Sequence, residues 1–164
     1  MERRDAVAYH GFDSISRSRD AGKYRDHVRI TNIKLDYPQF SLQIQNRLTS
    51  HALPPSGPSR LLVLEISFRN SEGGETHTIV KAFAKKFNLL PIVGIHPFKL
   101  LENTQLQSSE VRPLSFTLPP SQKDLIDKAV ITLQFYDVSD EYAGDLTKAH
   151  WISKPFIREE VSFN

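Results

Sequence analysis

The chain has 164 residues, 21 Lys and Arg against 19 Asp and Glu, and a hydrophobic fraction of 39%. That length and apolar content suffice for one packed domain and disfavour a mainly disordered chain, while a formal charge of +2 is far from the dense positive field of a dedicated nucleic-acid binder. Cysteine is absent, which removes thiol nucleophiles, disulfide frameworks and cysteine-ligated zinc from these residues in one step.

From Met1 to Asp26 the residues are polar and charged, with Arg3, Arg4, Arg17, Arg19, Lys23 and Arg25 set among Glu2, Asp5, Asp13, Asp20 and Asp26. Apolar positions there are too sparse to bury, so residues 1–26 read as a flexible charged arm ahead of a domain spanning 27–164. Its basic piece offers Arg17, Arg19, Lys23 and Arg25 as candidate contacts to nucleic acid or another anion, although Asp20 interrupts it. The N-terminus carries no apolar signal core, and no window reaches the ~20 apolar residues of a membrane helix. The expectation is a soluble, cytoplasmic protein without a transmembrane segment.

After His27 the chain turns to short runs of β-branched and aromatic residues separated by Pro, Gly, Asn and Ser clusters, the pattern of successive strands. "VRITNIKLDY" is the first. In "FSLQIQN", Phe40, Leu42 and Ile44 share one face and Ser41, Gln43 and Gln45 the other. "HALPPSGPS" holds three prolines and a glycine and reads as an exposed connection. "RLLVLEISFRN" places Leu62, Leu64, Ile66 and Phe68 on one face, and "SEGGE" is a turn that invites a hairpin. In "THTIVKAFAKKFNLL", Ile79, Phe83 and Phe87 fit a helical period as well as a strand; the hairpin signal favours a strand through about Lys85.

An edge-like piece follows around Phe98 to Leu101, then a strand with Leu114, Phe116 and Leu118 inward, bracketed by Pro113 and Pro119. Ser121 is a candidate N-cap for one or two helical turns in "SQKDLIDKA". "VITLQFYDV" turns Ile131, Leu133 and Phe135 inward, and a closing strand around His150 to Ser153 precedes a tail suited to edge pairing. Seven or eight strands without helical alternation predict an all-β antiparallel sandwich, immunoglobulin-like or jelly-roll. Its core is predicted from Leu42, Ile44, Leu62, Leu64, Ile66, Phe68, Leu114, Phe116, Ile131, Leu133 and Phe135.

The densest chemistry lies at "DVSDEYAGD", where Asp137, Asp140, Glu141 and Asp145 follow a strand and Gly144 permits a tight turn. The stretch resembles the last calcium loop of C2 domains, in which a strand ending in aspartate is followed by further aspartates and a glycine; Ser139 departs from that pattern. The resemblance implies a cation-dependent binding domain; "DYPQF" does not match that family's acidic first loop, and Asp36 within it is the one other candidate supplier of ligands. The competing physical reading is a solvated turn whose charges discourage edge pairing and rim a partner interface, with Asp137, Asp140, Glu141, Tyr142 and Asp145 as contacts. No metal is expected, since the six histidines lack the spacing of a zinc pair.

Nothing marks a hydrolase elbow, a phosphate loop or a dinucleotide fingerprint, so neither an enzyme nor a cofactor is predicted. In "FAKKFNLL" the alternation of Phe83 and Phe87 with Lys81, Lys85 and Lys86 fits a core face and a wet face better than a nucleic-acid platform. The function expected is therefore a non-catalytic protein-interaction or structural module, with a protein partner or self-association. A self-assembling, viral-type structural protein with a charged N-terminal arm is the alternative, beside the C2-like domain using the 137–145 acidic loop.

Overall fold

The computed structural model describes residues 24–48, 51–54, 60–88, 99–137, 150–151 and 155–163. Alternating β-branched and aromatic runs form ten strands among them: β1 (Val28–Asp36), β2 (Gln39–Asn46), β3 (Arg60–Arg69), β4 (Glu75–Phe83), β5 (Lys85–Asn88), β6 (Lys99–Asn103), β7 (Val111–Thr117), β8 (Lys128–Asp137), β9 (His150–Trp151) and β10 (Ile157–Ser162). All pairings are antiparallel. A smaller sheet runs β1-β2-β7; a larger one runs β10-β8-β3-β4, with β9 also on β8; β5 and β6 form a separate pair. The two sheets pack face to face as an all-β sandwich.

Its core comes from both inner faces. The smaller sheet contributes Val28, Ile30, Phe40, Leu42 and Ile44, and the larger Leu62, Leu64, Ile66, Phe68, Ile131, Leu133 and Phe135. Each such side chain contributes about 1.5–3 kcal/mol when fully buried. Leu114 and Phe116 are only half-buried and pack on the core from the side, because β7 is the margin of its sheet. That margin also accommodates Pro113, which has no N–H to donate to a further strand. Tyr24, within the stretch read from sequence as arm, is buried, with its ring edge-on to Phe135 at a centroid distance of 5.1 Å. Residues 1–23 lie outside the described residues.

β1 changes phase along its length. Thr31 pairs with Gln43 and Lys34 with Ser41, so two residues of β1 face one of β2 across a bulge. Asn32 takes a positive φ of 53° there, and its Nδ2 donates to Gln43 Oε1 at 2.9 Å. The extra residue returns Ile33 and Leu35 to the same side as Val28 and Ile30, where they pack against the core.

β3 and β8 pair over ten residues, from Arg60↔Asp137 to Arg69↔Lys128. β3 is buried on both faces along much of its length, which explains its near-continuous apolar run. Leu61 and Val63, on the face turned from the main core, cluster with Ala84 and half-buried Tyr136. Burial, with the negative charge of Glu65 adding to it, pushes the Tyr136 phenol up to about 12.

The "SEGGE" hairpin between β3 and β4 forms as expected: Gly73 takes a φ of +84°, and Asn70 Oδ1 accepts the Gly74 N–H at 2.8 Å. The ambiguous segment after it is strand, divided at Ala84. There β4 reaches the end of its pairing with β3, and Ala84 instead exchanges hydrogen bonds with Thr104: its N–H donates to Thr104 Oγ1 at 3.0 Å, and its carbonyl accepts the Thr104 N–H at 2.8 Å. The N-cap expected at Ser121 does not form. Pro119 leads directly into a 3-10 turn over Pro120–Gln122, which holds Ser121 in its interior and has no side-chain cap.

Candidate functional site

The strand preceding the acidic stretch ends at Asp137, whose backbone pairs with Arg60 on one side and His150 on the other. Asp140, Glu141, Tyr142 and Asp145 lie outside the described residues, as do Arg17, Arg19 and Lys23. Asp36 does not share an end of the sandwich with Asp137. It closes β1 opposite Gln39, where Phe40 meets Phe68 and Phe163 at ring centroids of 5.0 and 6.1 Å and Tyr37 donates its hydroxyl to the Pro119 carbonyl at 2.6 Å. Phe68 pairs with Ala129 near the start of β8, so Asp36 sits beside the start of a ten-residue strand that ends at Asp137, about 30 Å away. A calcium cage drawing on both residues is ruled out by this placement. Among the described residues no group of three His, Asp or Glu is placed to hold a metal.

The end of the sandwich nearer Asp137 is tied by a polar hub. Asn46, fully buried at the end of β2, donates through Nδ2 to the carbonyls of His51 (2.8 Å), Leu106 (3.2 Å) and Gln107 (3.0 Å), and its Oδ1 accepts the Leu48 N–H (3.0 Å). Arg112 of β7 reaches the Glu110 carboxylate through Nε at 2.6 Å and Nη2 at 2.9 Å. It also donates to the carbonyls of Thr104 and Gln105 at 2.8 and 2.7 Å, and lies over the Phe83 ring at 5.6 Å. Gln105 Nε2 donates to the Pro54 carbonyl at 2.6 Å. These groups are consumed in holding Asn46, His51 and Pro54 against 104–112, and the arrangement is structural.

Hydrogen bonding from Arg112, with the Gln107 N–H and the guanidinium charge adding to it, outweighs burial and holds the Glu110 carboxyl below its ordinary 4.5. A lowered folded-state value means that the contribution of this group is present above 4.5 and is lost as pH falls through the folded value. The Glu110→Gln protein is therefore expected to lose less stability than wild type between pH 4.5 and lower pH. Urea midpoints across that window measure it; parallel acid limbs in the two proteins would refute it.

The outer face of the smaller sheet is different in kind. A shallow groove of about 520 Å³ crosses all three strands, lined by Asn32, Lys34, Ser41, Gln43, Pro113 and Ser115 with the backbone between them. Beside it, Gln39 donates to Thr117 Oγ1 at 3.0 Å and accepts from Ser115 Oγ at 3.1 Å, which continues a cross-strand ladder of amides and hydroxyls begun by Asn32 and Gln43. Val111, 49% exposed, and Pro113 give the face an apolar margin along β7. No carboxylate lines the groove. Sequence reading missed this face because its residues, polar and alternating, look like the wet side of any strand.

Arg25, the one basic arm candidate among the described residues, is exposed in the turn before β1. It lines a second, smaller notch with Arg29 and Arg158, neither of which stood out in the sequence.

No protein-family profile matches the chain, and no curated protein matches it at a significant level. Among solved structures it is similar to the crystal structure of a penta-heme cytochrome c552 from Thermochromatium tepidum, with a TM-score of 0.63 and 18% sequence identity over 88% of this chain and 42% of that one. At that identity the likeness is one of fold, and the chain spans less than half the length of that cytochrome.

Proposed function

We propose that the chain is a non-catalytic protein-interaction module whose contact surface is the outer face of the β1-β2-β7 sheet. The observation that carries this reading is the groove across that face, open to solvent and lined by amides, hydroxyls and the single cation Lys34 beside an apolar margin at Val111 and Pro113. Such a surface suits a polypeptide partner, since amides and hydroxyls pair with peptide groups while an apolar patch excludes water. A sandwich like this one occupying part of a longer chain in the cytochrome is in keeping with a module that works beside other polypeptide. The haem chemistry of that protein is not carried over, because c-type attachment uses a Cys-x-x-Cys-His motif and these residues contain no cysteine. The same absence of cysteine fits a reducing, cytoplasmic setting.

The test is affinity purification from the native source with cross-linking mass spectrometry, repeated with the Gln43→Arg/Ser115→Arg protein. Both side chains face solvent in the groove, so the double variant is expected to melt as wild type does and to retain the partner about tenfold less. Unchanged retention would refute the assignment of this face. Recovery of only the chain itself, in a large species by size-exclusion chromatography, would replace it with self-assembly.

A further inference from the structure

Three arginines from separate parts of the sequence meet at one lateral opening of the sandwich. Arg25 stands in the turn before β1, Arg29 is the second residue of β1, and Arg158 is the second residue of β10. With Val28, Ile157 and Glu159 they line a notch of about 180 Å³. The three arginines are exposed, whereas Val28 and Ile157 are buried, so the notch has an apolar floor and a cationic rim. β1 and β10 are the outermost strands of their sheets on this side, and their pairings with β2 and β8 fix the spacing of Arg29 and Arg158.

Within the described residues their charge is not consumed. Among the described residues none of the three guanidiniums makes a salt bridge or side-chain hydrogen bond, in contrast to Arg112 in the hub. Arg158 adds to the field on Glu160, but that carboxylate is held by Lys128 at 2.8 Å. Glu159 sets one negative charge against three positive ones around the notch. Three like charges set against one counter-charge leave a net positive field, and an arginine fork is shaped for two-point contact with a tetrahedral oxyanion.

We infer that this notch binds a small phosphate-type oxyanion. Its volume equals the share of roughly six water molecules at ~30 Å³ each, room for one or two phosphate groups with some water and too little for a nucleoside to be enclosed with them. Glu159 biases the site toward multiply charged anions, because a single negative charge on the ligand gains less against three arginines and one carboxylate. The site lies on the β1–β10 side and not on the groove face, so it stands independently of the interaction surface proposed above.

Calorimetry on the full chain with inorganic phosphate, with pyrophosphate, and with sodium chloride at matched ionic strength tests this. Pyrophosphate is expected to give saturable heat at millimolar concentration and to bind more tightly than phosphate, while chloride gives none. Arg29→Gln and Arg158→Gln are each expected to weaken pyrophosphate binding by about tenfold without lowering the melting temperature of the ligand-free protein. Lys81→Gln, at an exposed position on β4, should leave it unchanged. Equal weakening by Lys81→Gln would overturn the site in favour of a diffuse field effect, as would equal heats from chloride and pyrophosphate. A mixed-sequence single-stranded oligonucleotide binding about a hundredfold more tightly than pyrophosphate would overturn it in favour of an extended nucleic-acid contact.

Discussion

Phe68→Ala is expected to destabilise the protein by about 3–5 kcal/mol, against a typical total of about 5–15 kcal/mol for a domain. Phe68 has no exposed surface and bridges the two sheets: its ring meets Phe40 of β2 edge-on at 5.0 Å and 89°, and stacks beside His77 of β4 at 6.1 Å and 25°. Truncation removes the transfer free energy of the ring and both aromatic contacts, and it leaves a cavity between the two sheets that β3, held in its ladder with β8, cannot move to fill. Urea denaturation should show the midpoint falling with the slope unchanged. Leu125→Ala, at a position 46% exposed, is the control and should shift the midpoint by less than about 0.5 kcal/mol. A loss below about 1 kcal/mol for Phe68→Ala would mean that the sheets are not closely packed at this point.

The second large effect is expected from a polar side chain. Asn46→Ala removes no large apolar group, yet it takes away the donor shared by the carbonyls of His51, Leu106 and Gln107 and leaves the Leu48 N–H without its side-chain acceptor, while the Leu106 and Gln107 carbonyls keep the N–H groups of Leu53 and Glu110. At about 1–3 kcal/mol for a polar group left unpaired and about 1 kcal/mol for each further hydrogen bond lost, with water reaching part of the site, a loss of about 3 kcal/mol is expected. Asn46→Asp separates hydrogen bonding from size. Its carboxylate keeps an acceptor for Leu48 but turns negative charge toward three carbonyl oxygens in a buried site, which raises its folded-state pKa. Its deficit relative to wild type should therefore grow as pH rises through that pKa and shrink below it, the opposite sign to Glu110. A deficit independent of pH would show that Asn46 acts through packing alone.

The strands were legible because burial on one face forces period-two alternation, clearest at Phe40, Leu42 and Ile44. The slip in β1 was also written in the residues, since the apolar positions run Val28, Ile30 and then Ile33, Leu35; a single straight strand cannot bury both sets, and only a bulge reconciles them. The division at Ala84 was not legible, because what interrupts the strand is Thr104, twenty positions on, rather than a local breaker. Ser121 misled for a related reason. Its hydroxyl suits a cap, but Pro119 and Pro120 begin the turn before it. The arginine notch had one visible member, Arg25 in a basic run; Arg29 and Arg158 join it only through the tertiary placement of two sheet margins. The hub around Asn46 likewise draws on carbonyls, which every residue has and no sequence pattern displays.

The order in which the strands enter the two sheets sets what a ribosome can fold. β1 and β2 enter the smaller sheet and β3 and β4 the larger; only then does β7 complete the smaller sheet and β8 join the larger, which β9 and β10 finish. β7 lies roughly seventy positions beyond its partner β2, and β8 roughly seventy beyond β3. A nascent chain that stops before β7 therefore holds one hairpin from each sheet, marginal in water by itself, and lacks the Ile131, Leu133 and Phe135 share of the larger sheet's inner face. Closing loops of that length before any ladder rewards them favours slow folding, in the millisecond-to-second range of sandwiches. Neither half of the polypeptide holds either sheet of the sandwich whole, so a split version is expected to reach this fold only by association of its two pieces.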